Sequence, residues 1–127
     1  MYIYSNPISP AEASAALKSL EILGSEKGKD ILTHLHKMTK KFEKGLLDLG
    51  YEIIVSDHPI VPLMVRDTRK TTELVNYLVE NGILATGLNY PVVPKGDEEI
   101  RFQINADHTP YDIEYTLGVL KEYKRKY

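Results

Sequence analysis

An arginine inside an alternating segment, Arg101, is the residue of this 127-residue sequence best placed for binding chemistry. Apolar and polar side chains alternate from Ile100 to Asn105, which predicts a β-strand with one apolar and one polar face. Arg101 falls on the polar face. A guanidinium stays charged at any working pH and binds a carboxylate through two parallel hydrogen bonds. From the residues alone, a solvated or ion-paired surface arginine is favoured, and an anion-binding arginine is the alternative.

The histidines indicate neither a metal site nor a catalytic site. His34 and His36 lie about 200° apart around a helix axis, so they cannot share an ion. His58 stands in a turn, where we expect it to end a strand. We predict that Thr109 caps a helix and that His108 packs or bonds locally beside it. The sequence contains no phosphate-binding glycine loop, nucleophile elbow or zinc spacing.

Composition indicates one ordinary globular domain. Hydrophobic residues make up 43% of the chain and charged residues 27%, with a net charge of −2. Both signs are spread along the sequence, so we expect no binding to nucleic acid and none to membranes. The chain has no cysteine and no signal-peptide pattern, which fits a cytoplasmic protein.

Hydrophobic periodicity and capping residues predict eight elements in the order α, α, β, β, α, β, β, α. The first helix begins after the cap Ser9 and ends at Gly24, and the third has a buried side that includes Leu74 and Val79. The predicted strands cover residues 51–55, 60–66, 83–86 and 100–105, and the other two helices cover 26–49 and the segment from 110. The fold class is therefore α+β, a small, mostly antiparallel sheet of three or four strands with helices on one face. We expect a single domain over residues 1–127, in which 1–24 form a linking segment and helix and 25–127 form the body.

Two segments carry a resemblance to a known family. The first reads Tyr-Pro-x-Val-Pro-x-Gly from Tyr90, followed by Ile100-Arg101 and by Ala-x-His-Thr ending at Thr109. The second is Tyr2–Asn6 with Ser9-Pro10. Both resemble the α-oxoamine synthases, and the resemblance covers almost the whole chain. It corresponds to the C-terminal third of a pyridoxal-phosphate enzyme that joins an amino acid to an acyl-CoA. Within the family it favours the glycine C-acetyltransferase branch (2-amino-3-ketobutyrate CoA ligase), followed by 8-amino-7-oxononanoate synthase.

The resemblance implies a role for three residues. Arg101 would bind the α-carboxylate of the amino acid substrate. Ser5 and Asn6 would lie near the cofactor phosphate or the acyl-CoA of the partner subunit, although Pro7 replaces a serine or threonine that is common there. Glu99 stands where family members often carry another arginine.

The resemblance also implies the fold of the small domain of fold-type I pyridoxal-phosphate enzymes, with its polar sheet face toward the active-site cleft. The cofactor-binding lysine, its supporting residues and the rest of the pyridoxal phosphate site belong to a large domain outside this chain. We therefore expect no cofactor on the chain alone and a homodimer in the complete enzyme.

A different class of function stays open from the residues: a free-standing α+β module that binds a small acid at Arg101 without catalysis. The DNA upstream of Met1 distinguishes the two, since only the enzyme requires a large domain in frame.

Overall fold

The computed structural model describes residues 7–127. Over that range the chain forms four helices and three strands: α1 (Pro10–Leu23), α2 (Glu26–Asp48), β1 (Ile60–Met64), α3 (Thr68–Glu80), β2 (Thr86–Leu88), β3 (Glu99–Gln103) and α4 (Pro110–Lys126). This arrangement confirms the predicted α+β class. The chain divides after Thr33 into two compact units, and the division falls within α2.

In the first unit, α1 begins after the predicted cap Ser9, which forms a capping box with Glu12. The Ser9 hydroxyl accepts the backbone N–H of Glu12, and the Glu12 carboxylate accepts the backbone N–H of Ser9. Pro10 occupies the first helical position, and Gly24 donates its N–H to the carbonyl of Leu20 at the other end. No residue of α1 is buried, and these local signals mark its two ends.

The second unit contains an antiparallel sheet in the order β1-β3-β2, with β3 in the centre. Gly87 of β2 pairs with Ile100 of β3, where β2 lies against α3. A Cβ at position 87 would lie 2.7 Å from Cγ2 of Val75, so glycine permits this close approach of strand and helix.

The core lies on the side of the sheet that carries Ile100 and Phe102. The rings of Phe102 and Phe42 meet edge-on, with centroids 5.1 Å apart. The other buried apolar side chains come from three helices, β1 and two loops: Met38, Leu46, Val61, Leu63, Leu74, Leu78, Ile83, Ile104, Ile113, Val119 and Leu120.

The predicted strand at residues 51–55 is wrong. Only Ile53 pairs with β1, through an isolated bridge to Leu63. The N–H of Ile54 donates to the carbonyl of Pro62, but Pro62 has no N–H to donate in return. A proline on the outer edge of β1 therefore prevents a fourth strand from forming a regular ladder.

Other strands also begin or end at residues different from those predicted. β1 ends at Met64 because the next two N–H groups, of Val65 and Arg66, both donate to the carbonyl of Glu98. The strand predicted at 83–86 instead covers Thr86–Leu88, since the N–H of Ile83 donates to Leu78 at the end of α3. Val79, predicted on the buried side of α3, is exposed.

Candidate functional site

Arg101 lies in the middle of the central strand, on the face opposite the core. Its neighbours in the chain, Ile100 and Phe102, are buried, whereas half of its own side chain is exposed. Across the sheet it lies opposite Pro62 on one side and Thr86 on the other. The predicted alternation is confirmed, and a rigid backbone therefore directs a cation to an open surface.

The Arg101 side chain forms an ion pair with Glu99. Its Nε donates to Oε1 of Glu99 over 2.6 Å. Within residues 7–127 this is its only hydrogen bond to the protein, so both terminal nitrogens are available to a ligand. A guanidinium with two free terminal N–H groups matches the geometry of a carboxylate.

The start of β3 is fixed by a second acid, Glu98. Its carboxylate accepts the hydroxyl of Thr68 over 3.0 Å and the backbone N–H of Gly96 over 2.9 Å. A hydrogen bond from its own backbone N–H, together with these two, holds the pKa of the Glu98 carboxyl below its ordinary value against the effect of burial. Glu98 thus remains a charged anchor three residues before Arg101.

Arg66 connects this region to the segment before β1. Its backbone lies in the left-handed region, with φ of 61°. Its guanidinium contacts the Glu52 carboxylate, the Gly96 carbonyl and the Asp97 carboxylate. The hydrogen bond from Arg66 lowers the pKa of the Glu52 carboxyl. The charged side chains of this cluster pair with one another, which indicates that the cluster holds the loop in place.

His108 bonds locally, as predicted. His58 does not end a strand, because residues 51–55 form none, and it lies instead just before β1. Nδ1 of His58 accepts the N–H of Ile60 at the start of β1. Nδ1 of His108 accepts the N–H of Asn105, while its carbonyl accepts Nε2 of His34 over 2.8 Å. Thr109 is the N-cap of α4, with its hydroxyl accepting the N–H of Asp112. The backbone N–H of Thr109, followed by its hydroxyl, lowers the pKa of the Asp112 carboxyl.

Two cavities lie away from Arg101. One, of about 340 Å³, is lined in part by Leu84, His108 and Tyr115. The other, of about 400 Å³, is lined in part by Tyr51 and Tyr123. The candidate site is instead an open sheet face, which requires a second surface to enclose a ligand.

Several predictions concern features other than Arg101. Ser5 and Asn6 lie outside the described residues. Within residues 7–127, no group of three acidic, histidine or cysteine side chains could hold a metal ion. In the same part of the chain, no helix is both long and apolar enough to span a membrane.

Sequence reasoning missed the burial of Glu99. Its side chain is only 8% exposed, and it is the direct partner of the candidate ligand-binding arginine. The alternation itself indicates that Glu99 and Arg101, two residues apart on a strand, share a face. Nothing local indicates that Glu99 would be covered.

Comparisons with known proteins agree with this architecture. The family model for aminotransferase class I and II matches residues 1–120. The chain is 37% identical to an 8-amino-7-oxononanoate synthase of Petrotoga mobilis, over 92% of this chain and 29% of that protein. It is 33% identical to the mitochondrial 2-amino-3-ketobutyrate coenzyme A ligase of Mus musculus, over 98% of this chain and 29% of that protein.

A solved structure supports the fold. The chain superimposes on a serine palmitoyltransferase from S. paucimobilis with a TM-score of 0.88 and 23% identity, over 98% of this chain and 31% of that one. The chain thus spans about a third of the length of the relatives that it matches. Together with the motif around Arg101, the family match shows that the chain belongs to the aminotransferase class I and II family of pyridoxal-phosphate enzymes.

Proposed function

We propose that this chain is the C-terminal small domain of a pyridoxal-phosphate-dependent acyltransferase that condenses an amino acid with an acyl-CoA. Support comes from relatives named as such synthases and ligases, and from the motif that runs from Tyr90 to Thr109. Glycine is our preferred amino acid, because Ser5-Asn6 and the loop from Pro91 to Gly96 most resemble the glycine C-acetyltransferase branch. The complete enzyme would be a cytoplasmic homodimer.

The observation that carries the proposal is the placement of Arg101. It is a cation in the middle of a central strand, with both terminal nitrogens free of protein partners within residues 7–127. We assign it to the α-carboxylate of the amino acid substrate. The adjacent sheet face would form one wall of the active-site cleft.

The described residues around Arg101 do not fit the cofactor itself. Pro62 offers no hydrogen-bond donor there, Thr86 offers a single hydroxyl, and the one cation, Arg101, is already paired with Glu99. These groups are too few for a phosphate, which carries nearly two charges and three acceptor oxygens. We therefore assign pyridoxal phosphate to the rest of the complete enzyme, with Ser5 and Asn6 as the contribution of this chain. When bound there, the cofactor supplies an electron sink for a carbanion at the α-carbon of the amino acid.

Replacing Arg101 in the complete enzyme tests the proposal. A hydrogen bond to a charged group contributes about 1.5–3 kcal/mol. Arg101→Ala should therefore weaken binding of the amino acid by about 10- to 150-fold. Arg101→Lys should restore only part of the affinity, because lysine keeps the charge but lacks the planar pair of donors. The measurement is the dissociation constant for glycine.

The acyl-CoA constant serves as an internal control, since the thioester end of the reaction lies elsewhere and its constant should stay within about twofold. Arg69→Ala is a matched variant, because Arg69 is an exposed arginine on α3 whose one ion pair within residues 7–127 is with Glu73, four residues away. Unchanged glycine affinity in Arg101→Ala would remove Arg101 from the site. An equal rise in both substrate constants would indicate a general loss of structure instead.

We expect the isolated chain to be inactive. None of its lysines lies in a motif that resembles the cofactor-binding lysine of the family. Adding pyridoxal phosphate and recording the absorption spectrum, followed by peptide mapping, should show no stoichiometric adduct at a single lysine. Such an adduct would contradict the assignment of the cofactor to another domain.

The upstream reading frame separates this proposal from a non-catalytic module that binds a small acid. A pyridoxal-phosphate large domain in frame with Met1 supports the enzyme. A stop codon followed by a promoter supports the module.

A further inference from the structure

The strongest unexplained feature of the site is the buried carboxylate beside Arg101. The Glu99 side chain is 8% exposed, whereas that of Arg101 is 50% exposed. Burial of a carboxylate is costly unless a charged partner and a hydrogen bond compensate it. Arg101 provides both, through the 2.6 Å contact from Nε to Oε1.

The sheet explains why Glu99 is covered. In the register of β3 with its two neighbours, Glu99 lies opposite Met64 of β1 and Leu88 of β2. Residues directly opposite one another in an antiparallel sheet share a face and contact each other. This register places Glu99 between two long apolar residues, which accounts for the low exposure of its side chain.

We infer that Glu99 is a positioning residue for Arg101, which fixes the plane of the guanidinium and directs its two terminal nitrogens toward the ligand. A guanidinium can bind a carboxylate either along the edge formed by Nε and one terminal nitrogen or at the end formed by both terminal nitrogens. Glu99 occupies Nε, so the amino acid carboxylate binds at the end. This inference rests on the proposed role of Arg101 in carboxylate binding.

A matched pair of variants separates positioning from charge. Glu99→Gln and Glu99→Met both remove the negative charge and are similar in size, but glutamine offers an amide oxygen to the Nε–H, whereas the methionine thioether is only a weak acceptor. In the complete enzyme, we expect Glu99→Gln to bind glycine about 5-fold more tightly than Glu99→Met, the effect of one net hydrogen bond. Equal affinities in the two variants would overturn the positioning role, because they would leave only an effect of charge.

A second measurement uses the 127-residue chain alone and does not depend on catalysis. Nitrogen-15 NMR of the arginine side chains should show an Arg101 Nε–H that is protected from solvent exchange in the wild type and in Glu99→Gln. It should exchange rapidly in Glu99→Met. Rapid exchange in the wild type would overturn the inference directly.

The two experiments also distinguish this inference from the proposed function. If Arg101→Ala weakens glycine binding but the Gln and Met variants are equal, the proposed function stands and positioning by Glu99 is refuted. If Arg101→Ala has no effect on glycine binding, the proposed function fails and the inference fails with it. Circular dichroism melting of each variant identifies any variant that loses the fold. If Glu99→Met loses the fold, NMR of the wild type and of Glu99→Gln still decides the question, because both should protect the Arg101 Nε–H from exchange.

Discussion

Truncation of one buried leucine should cost far more stability than truncation of one exposed leucine. Leu46 on α2 is 0% exposed, whereas Leu84, in the loop after α3, is 94% exposed. Removing a buried leucine side chain to alanine costs about 2–5 kcal/mol, through lost transfer free energy and the cavity left behind. We expect about 3 kcal/mol for Leu46→Ala, because Leu46 belongs to a close-packed core whose other side chains are themselves buried and cannot collapse freely. Leu84→Ala should change the free energy of unfolding by less than about 0.5 kcal/mol.

Urea unfolding followed by circular dichroism measures both variants. With a denaturant dependence of about 1.5 kcal/mol per molar, Leu46→Ala should lower the midpoint by about 2 M. Leu84→Ala should lower it by less than about 0.4 M. The same chemical change is made in both, so the difference isolates burial. Similar midpoint shifts for the two variants would refute the assignment of α2 to the core.

Two further pairs of variants test local features. Thr109→Ala should destabilise the chain by about 1 kcal/mol through loss of the α4 cap. Thr109→Ser should destabilise it by much less, since serine keeps the hydroxyl. Equal effects of the two variants in urea unfolding would show that the hydroxyl is not the cap. Gly87→Ala should destabilise the chain by about 1–3 kcal/mol, because its Cβ would lie 2.7 Å from the Val75 side chain. Gly118→Ala on α4 should stabilise the chain by up to about 1 kcal/mol, because no neighbouring atom lies within 4 Å of its Cβ. Thermal melting that ranks Gly87→Ala above Gly118→Ala in stability would contradict the packing of β2 on α3.

The elements with local sequence signals were predicted well. The predicted caps Ser9 and Thr109 each begin a helix, because the cap and the backbone N–H that it accepts are only three residues apart. The alternation around Arg101 correctly predicted which residues of β3 are buried and which face outward from Ile100 onward, because side chains alternate between the two faces of any strand. The orientation of the candidate ligand-binding arginine was therefore available from the sequence.

Features that depend on contacts between distant segments could not be predicted from the sequence. A strand at residues 51–55 fails to form because its partner would be Pro62, a residue that periodicity in that segment cannot reveal. The burial of Glu99 depends on its register with Met64 and Leu88, which lie on two other strands. In both cases the missing information is the pairing of strands, which local patterns do not specify.

The central position of β3 allows an open face to hold an arginine in a fixed place. β3 is hydrogen-bonded to strands on both sides, and its opposite face is anchored in the core by Ile100 and Phe102. A displacement of the Arg101 backbone would have to disturb both ladders and the core packing, so the arginine can vary only in its side-chain torsions. Those torsions are restricted by a neighbour on the same strand, Glu99. The strand thus fixes the position of the Arg101 backbone and also carries the residue that orients its side chain. A loop at the edge of a cavity would hold an arginine less precisely.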